Sequence, residues 1–194
     1  LRRRQRQMCI RDSPGAVHFL GGEPTLNPDL PELLEFCKEE LGARTVLGHT
    51  NGSRLPLPFL DAANVSFKAF DDELYLEYTG HPARPVLENF RRAFDAGISL
   101  SAQFTLIPGF IGLDQVEKLA KFIASLDDGI PLHITGFVPV PGAPWRAATR
   151  EEVERAAEAA RQFLRHVTCS WFSSAEDYAR RVGEDPRYAS ERVL

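Results

Sequence analysis

Glu23, Lys68 and Asn51 are the residues whose types and settings could do chemistry in this chain. Glu23 stands within Gly21-Gly22-Glu23-Pro24-Thr25, directly after the apolar run Ala16-Val17-His18-Phe19-Leu20 and directly before a helix signal. A strand running into Gly-Gly exposes backbone groups at its carboxyl end, where parallel α/β sheets bind their ligands. Glu23 adds a carboxylate able to take an ammonium group. The same pentapeptide also fits an ordinary βα turn punctuated by proline. Lys68 offers the opposite charge and shares a strand face with Ser66; Ser101, Gln103 and Thr105 share another, and His133 and Thr135 a third. A closed eight-stranded barrel fills its interior with branched apolar side chains, so repeated polar faces point to a wider, open barrel holding a polar ligand. An uncovered sheet side facing solvent would show the same alternation, although linking helices should cover the outer face.

The elements that must position these residues alternate between short apolar strands and amphipathic helices, the pattern of repeated βα units around a parallel sheet. Strands are expected over 16–20, 44–47, 64–70, 99–107 and 132–138, with a sixth over 166–171. Helices are expected over 31–41, closed by Gly42, over 85–96, closed by Gly97, and over 114–125. Leu30, Leu33, Leu34, Cys37 and Leu41 form one face of the first helix, which makes Cys37 a core cysteine. Thr149 caps a further helix through Leu164, with Glu152 completing a capping box. Residues 175–182 read as a helix within the polar tail.

Charge and cysteine content narrow the class once the start of the chain is set aside. Arg3 to Ser13 back-translates to a transposase-type sequencing adapter read in frame, so residues 1–13 are read as non-native. They hold Arg2, Arg3, Arg4, Arg6, Arg11 and Asp12, and without them the formal net charge moves from -4 to -8. An acidic chain without a basic run is a poor partner for nucleic acid. The only Met, Met8, lies in the same segment, and the native chain is expected to begin further upstream. Cys37 and Cys169 stand far apart, in no metal-knuckle spacing, which makes a reducing compartment the default. No stretch reaches the roughly eighteen apolar residues of a membrane span. The expected organisation is a core over 14–172 followed by a tail over 173–194, in a cytoplasmic protein without a membrane partner.

Four landmarks in order, Gly21 to Thr25, Thr50-Asn51-Gly52, Phe67-Lys68-Ala69-Phe70-Asp71 with Tyr78-Thr79-Gly80 behind it, and Ile107-Pro108-Gly109, resemble the radical S-adenosylmethionine (radical SAM) proteins. The nearest resemblance is to the glycyl-radical-enzyme activases such as pyruvate formate-lyase activating enzyme, and it extends from Val17 to about Trp145. It implies an α/β fold, a partial (β/α)6 radical SAM barrel, open and TIM-like, lacking its first βα unit. It also implies an oxidoreductase that cleaves S-adenosylmethionine at a [4Fe-4S] cluster to a 5'-deoxyadenosyl radical, which then abstracts hydrogen from a substrate. A glycine of a partner protein is the substrate of activases, and flavodoxin or ferredoxin would serve as electron donor.

By the same resemblance Gly21, Gly22 and Glu23 take the ammonium of the methionine moiety, with Pro24 stiffening the turn. Thr50 and Asn51 fall near the ribose or the methionine carboxylate, Lys68 meets that carboxylate, and Gln103 stands where activases tend to carry a basic residue. Ser66 and His49 occupy positions where some activases hold a monovalent cation with acidic residues, and neither is anionic. The family's Cys-x3-Cys-x2-Cys loop has no counterpart between Pro14 and Leu194, so the chain is expected to hold no metal and to be inactive alone. Cys9 belongs to the adapter-like segment. His18 and His133 fit either a place near adenosine or a structural role, and Trp145 and Trp171 either a substrate mouth or packing. Two other classes stay open: an aldolase or isomerase barrel with Lys68 as a Schiff-base or electrostatic residue, and a non-catalytic barrel partner subunit.

Overall fold

The structure is a computed structural model that describes residues 15–184. Six strands alternate with helices: β1 (Ala16–Phe19), α1 (Leu30–Glu39), β2 (Arg44–Thr50), β3 (Ala62–Phe67), α2 (Asp72–Thr79), α3 (Arg84–Asp95), β4 (Ser99–Leu106), α4 (Leu113–Ala124), β5 (Leu132–Gly136), α5 (Arg150–Arg161), β6 (Val167–Ser170) and α6 (Ala175–Glu184). The strands form one sheet in the order β1-β2-β3-β4-β5-β6, with β1 and β6 as end strands. The β1–β2, β2–β3 and β5–β6 pairs are parallel. The chain divides between Gln103 and Phe104, inside β4, into two compact units.

In the first unit each strand buries alternate residues against the helices. β3 buries Ala63, Val65 and Phe67 and leaves Asn64 and Ser66 half-buried on its other face. Phe67 meets Phe90 of α3 edge to face, with centroids 5.2 Å apart. α1 buries Leu30, Leu34 and Cys37, one residue per turn on a narrow stripe. Leu33, expected on that stripe, is instead exposed, because it lies to the side of the i, i+4, i+7 row that meets the sheet. The strand ends away from the glycine loops are tied by Asp61, whose carboxylate accepts from Lys38 Nζ at 2.7 Å and Thr45 N at 2.8 Å.

In the second unit α4 buries Val116, Leu119, Ala120 and Ile123, and α5 buries Val153, Ala156, Ala157 and Ala160. The expected capping box is present: Thr149 Oγ1 accepts from Glu152 N at 3.2 Å, and the Glu152 carboxylate accepts from Thr149 N at 2.9 Å. Several elements differ from the sequence reading: β2 runs on to Thr50 instead of ending at Leu47, β5 stops at Gly136 instead of Val138, and α5 stops at Arg161 instead of Leu164. β3 starts at Ala62 and ends at Phe67, and α2 occupies a stretch assigned no element. α2 buries only Tyr75, so it carries no apolar stripe to be read. Among the described residues no helix is long and apolar enough to cross a membrane.

Candidate functional site

The site forms in the first unit, where the loops after β1, β2 and β3 leave the sheet. Gly21 and Gly22 have φ of 99° and 44°, a left-handed stretch open to glycine, and both are exposed with free space where a side chain would stand. Pro24 opens a short 3-10 turn over Pro24–Leu26 and is buried with Thr25. The turn projects Glu23 toward the end of β2 rather than outward.

Glu23 is the hub. Its Oε1 accepts from Thr25 Oγ1 at 2.7 Å, Thr25 N at 3.2 Å and Thr50 Oγ1 at 2.7 Å. Its Oε2 accepts from Asn51 N at 2.6 Å. Burial pushes the carboxyl upward, but these bonds from Asn51, Thr25 and Thr50 outweigh it and hold the group below its usual range. One oxygen is therefore saturated, while the other keeps a lone pair for one further donor. The sequence reading placed Thr50 and Asn51 on the ligand; the structure shows their hydroxyl and amide engaged by Glu23.

A break in the β2–β3 register between Leu47 and Thr50 makes this possible. Thr45 and Leu47 are buried on the ordinary alternation, the irregularity shifts the phase, and Thr50 becomes buried while His49 is exposed. A Cβ at Gly48 would meet the end of the exposed Leu20 side chain, which would have to swing aside. Beyond Thr50 the loop is held on every residue. Thr50 Oγ1 accepts from Gly52 N at 3.2 Å, Asn51 Oδ1 from Ser53 N at 2.8 Å, and Arg54 Nη1 donates to Thr25 O at 3.1 Å.

Lys68, one residue past β3, lies on the same face as Ser66 and donates to its hydroxyl at 2.9 Å. Among the described residues Ser66 is the one hydrogen-bond partner found for its ammonium, and no carboxylate pairs with it. Burial pushes its pKa down. Asn64, on the same face, has a buried Oδ1 without a hydrogen-bond partner among the described residues. Gln103 is half-buried on the alternating polar face of β4 with Ser101 and Thr105.

Elsewhere the candidate residues fall into structural settings. His18 is exposed. In the second unit His133 lies between Thr168 Oγ1 at 2.8 Å and Ser170 Oγ at 3.0 Å. Trp145 stacks on Phe110, centroids 4.7 Å apart, and Trp171 Nε1 donates to Ala148 O at 2.6 Å. Thr25 and Arg54 were given no role from sequence, although a threonine two residues after the glutamate was a readable signal for a local cap.

The charged side chains of the site are thus Lys68, half-buried with the Ser66 hydroxyl as its hydrogen-bond partner, and Glu23, whose Oε2 can take one further donor. The iron-sulfur cluster has no such support here. Among the described residues no three His, Cys, Asp or Glu side chains are placed to hold a metal, and Cys37 and Cys169 are single free thiols. Cys9 lies outside the described residues.

A parallel α/β sheet with glycine loops and polar groups at its strand ends defines a class, and the comparisons give the family. The chain belongs to the radical SAM superfamily, whose pattern matches residues 2–123. A relative from Methanocaldococcus jannaschii, named as a glycyl-radical enzyme activating enzyme, is 31% identical over 165 residues, covering 79% of this chain and 62% of the relative. Among solved structures, a domain of pyruvate-formate lyase-activating enzyme from Bacteroides vulgatus superposes with TM-score 0.63 at 21% identity, covering 80% of this chain and 99% of that one. SuiB from Streptococcus suis, bound to its precursor peptide SuiA, superposes with TM-score 0.61 at 17% identity, covering 86% of this chain and 40% of that one. These likenesses bear out the α/β radical SAM fold with six parallel strands. The chain spans less than two thirds of the length of that curated relative.

Proposed function

We propose that this protein is a radical SAM enzyme of the activating type, in which Gly21, Gly22 and Glu23 take the ammonium and Lys68 the carboxylate of the methionine part of S-adenosylmethionine. The observation that carries this is Lys68: a half-buried ammonium with a hydroxyl for company, on the face where the sequence places polar residues. A ligand carboxylate supplies the missing counter-charge. Glu23 Oε2 receives the ammonium on its remaining lone pair, with the Gly21 and Gly22 carbonyls beside it, while Pro24 fixes the turn. Thr50 and Asn51 serve by holding Glu23, Ser66 steadies Lys68, and Gln103 adds a polar group from β4.

Together with a [4Fe-4S] cluster, bound S-adenosylmethionine supplies a 5'-deoxyadenosyl radical for hydrogen abstraction; no described residue is assigned to that step. A glycine of a partner protein is the proposed substrate, supported by the name of the M. jannaschii relative and by the peptide-bound neighbour. A flavodoxin or ferredoxin as electron donor and a cytoplasmic location complete the reading.

Calorimetric titration tests it. S-adenosylhomocysteine carries both amino-acid groups and 5'-methylthioadenosine carries neither, so the chain should bind the first at least about tenfold more tightly, and Lys68→Met should abolish the preference. Equal affinities for the two ligands would overturn the assignment.

A further inference from the structure

Asn89 on α3 spends its amide on the loop after β2, donating to Gly52 O at 3.1 Å and Ser53 O at 2.9 Å. Those two residues are tied back to Thr50 and Asn51, the same pair that donates to Glu23. Gly52 cannot retreat toward the sheet, since even a Cβ there would lie 2.9 Å from Val65 Cγ1 and 3.2 Å from Val86 Cγ1. The loop is thus clamped from one side by packing and from the other by Asn89, with the weaker Leu55 N to Gly52 O bond at 3.5 Å and the Arg54 bond to Thr25 O beside it. Its output is a single backbone N–H, that of Asn51, aimed at Glu23 Oε2.

We infer that Asn89 is a positioning residue for ammonium recognition, acting through the Asn51 N–H on the one Glu23 oxygen that can still accept a ligand donor. The inference rests on the assignment of Glu23 to the ligand ammonium. Oε1 is fully occupied, so the direction of the open Oε2 lone pair depends on where Asn51 N stands. Without Asn89 the Ser53 carbonyl turns to water, the Gly52 carbonyl keeps the long bond from Leu55 N at 3.5 Å, and the loop can rotate. The Asn51 N–H then leaves Oε2, and Glu23 loses the bond that does most to lower its pKa. A residue that merely supported the fold would weaken all ligands alike; one that aims Glu23 weakens only ligands with an amine.

Two measurements on the full chain test this with Asn89→Ala and, as a milder variant that keeps one donor, Asn89→Ser. In carbon-13 NMR titration the Glu23 carboxyl should titrate at higher pH in both variants than in the unsubstituted chain. In calorimetry S-adenosylhomocysteine should bind about tenfold more weakly to Asn89→Ala, with 5'-methylthioadenosine unchanged within about twofold. An unmoved Glu23 titration, or equal weakening of both ligands, would overturn the positioning role. If the unsubstituted chain does not distinguish the two ligands, the ammonium assignment itself fails, while the NMR titration still decides whether Asn89 controls Glu23.

Discussion

Replacing Lys68 by Met should stabilise the ligand-free protein while destroying its ligand preference. Lys68 is half-buried and its ammonium donates to one hydroxyl, that of Ser66, with no carboxylate found beside it among the described residues. Burying an incompletely compensated polar group costs about 1–3 kcal/mol, and partial access to water places Lys68 at the low end, near about 1 kcal/mol. Met keeps the length and apolar stem and removes the charge. For a chain of this size about 1 kcal/mol corresponds to a rise of about 2–4 °C in Tm. The pH dependence gives the sharper check. A lysine whose folded pKa lies below its ordinary 10.5 weakens the fold at pH below that depressed value, and the penalty disappears as pH rises to 10.5. The advantage of Lys68→Met should therefore be greatest near neutral pH and shrink toward pH 10.5 in thermal unfolding followed by circular dichroism. A variant less stable than the parent at pH 7, or an advantage independent of pH, would refute the view that this ammonium lacks a counter-charge.

Four further substitutions probe the frame around it. Glu23→Gln should cost about 1–3 kcal/mol at neutral pH, because an amide cannot accept on both sides of the hub. The folded pKa of Glu23 lies below its ordinary 4.5, so its contribution is complete above 4.5 and is lost as pH falls through the depressed value. Urea unfolding from pH 6 downward should accordingly show the two proteins converging. Gly52→Ala should cost about 1–3 kcal/mol, having both a φ of 74° and Val65 in the way, whereas Gly48→Ala should stay within about 1 kcal/mol because the Leu20 end it meets is exposed and can swing aside. Asp61→Ala leaves Lys38 and the buried Thr45 amide without their partner and should lower unfolding stability in urea by about 1–3 kcal/mol with the ligand preference intact.

What could be read in the sequence was whatever is local. The capping box at Thr149 and Glu152 and the polar alternation of β4 depend on neighbours within a few residues, and both appear as expected. α2 was missed for the converse reason: with Tyr75 alone buried, its sequence carries no period. The irregularity in β2 was equally hidden, since it exists only relative to β3, and with it went the reason His49 points away while Thr50 is buried. The partners of Glu23 across 27 and 28 residues follow from that same pairing. A motif reading could place Thr50, Asn51 and Glu23 at successive strand ends, but not say that the first two hold the third.

That arrangement separates the two charges by what each does within the fold. Glu23 is satisfied by its own chain, so it contributes to the fold whether or not a ligand is present, and its geometry is set in advance. Lys68 has the Ser66 hydroxyl but no carboxylate among the described residues, so its ammonium opposes the fold. On the proposed assignment, a ligand ammonium would add one bond to a carboxylate already in place, whereas a ligand carboxylate would relieve a standing penalty. The affinity supplied by the carboxylate end should therefore exceed that of the ammonium end, and S-adenosylhomocysteine should raise the Tm of the parent chain by more than that of Lys68→Met at equal ligand concentration. Equal shifts in the two proteins would mean that Lys68 does not meet the ligand.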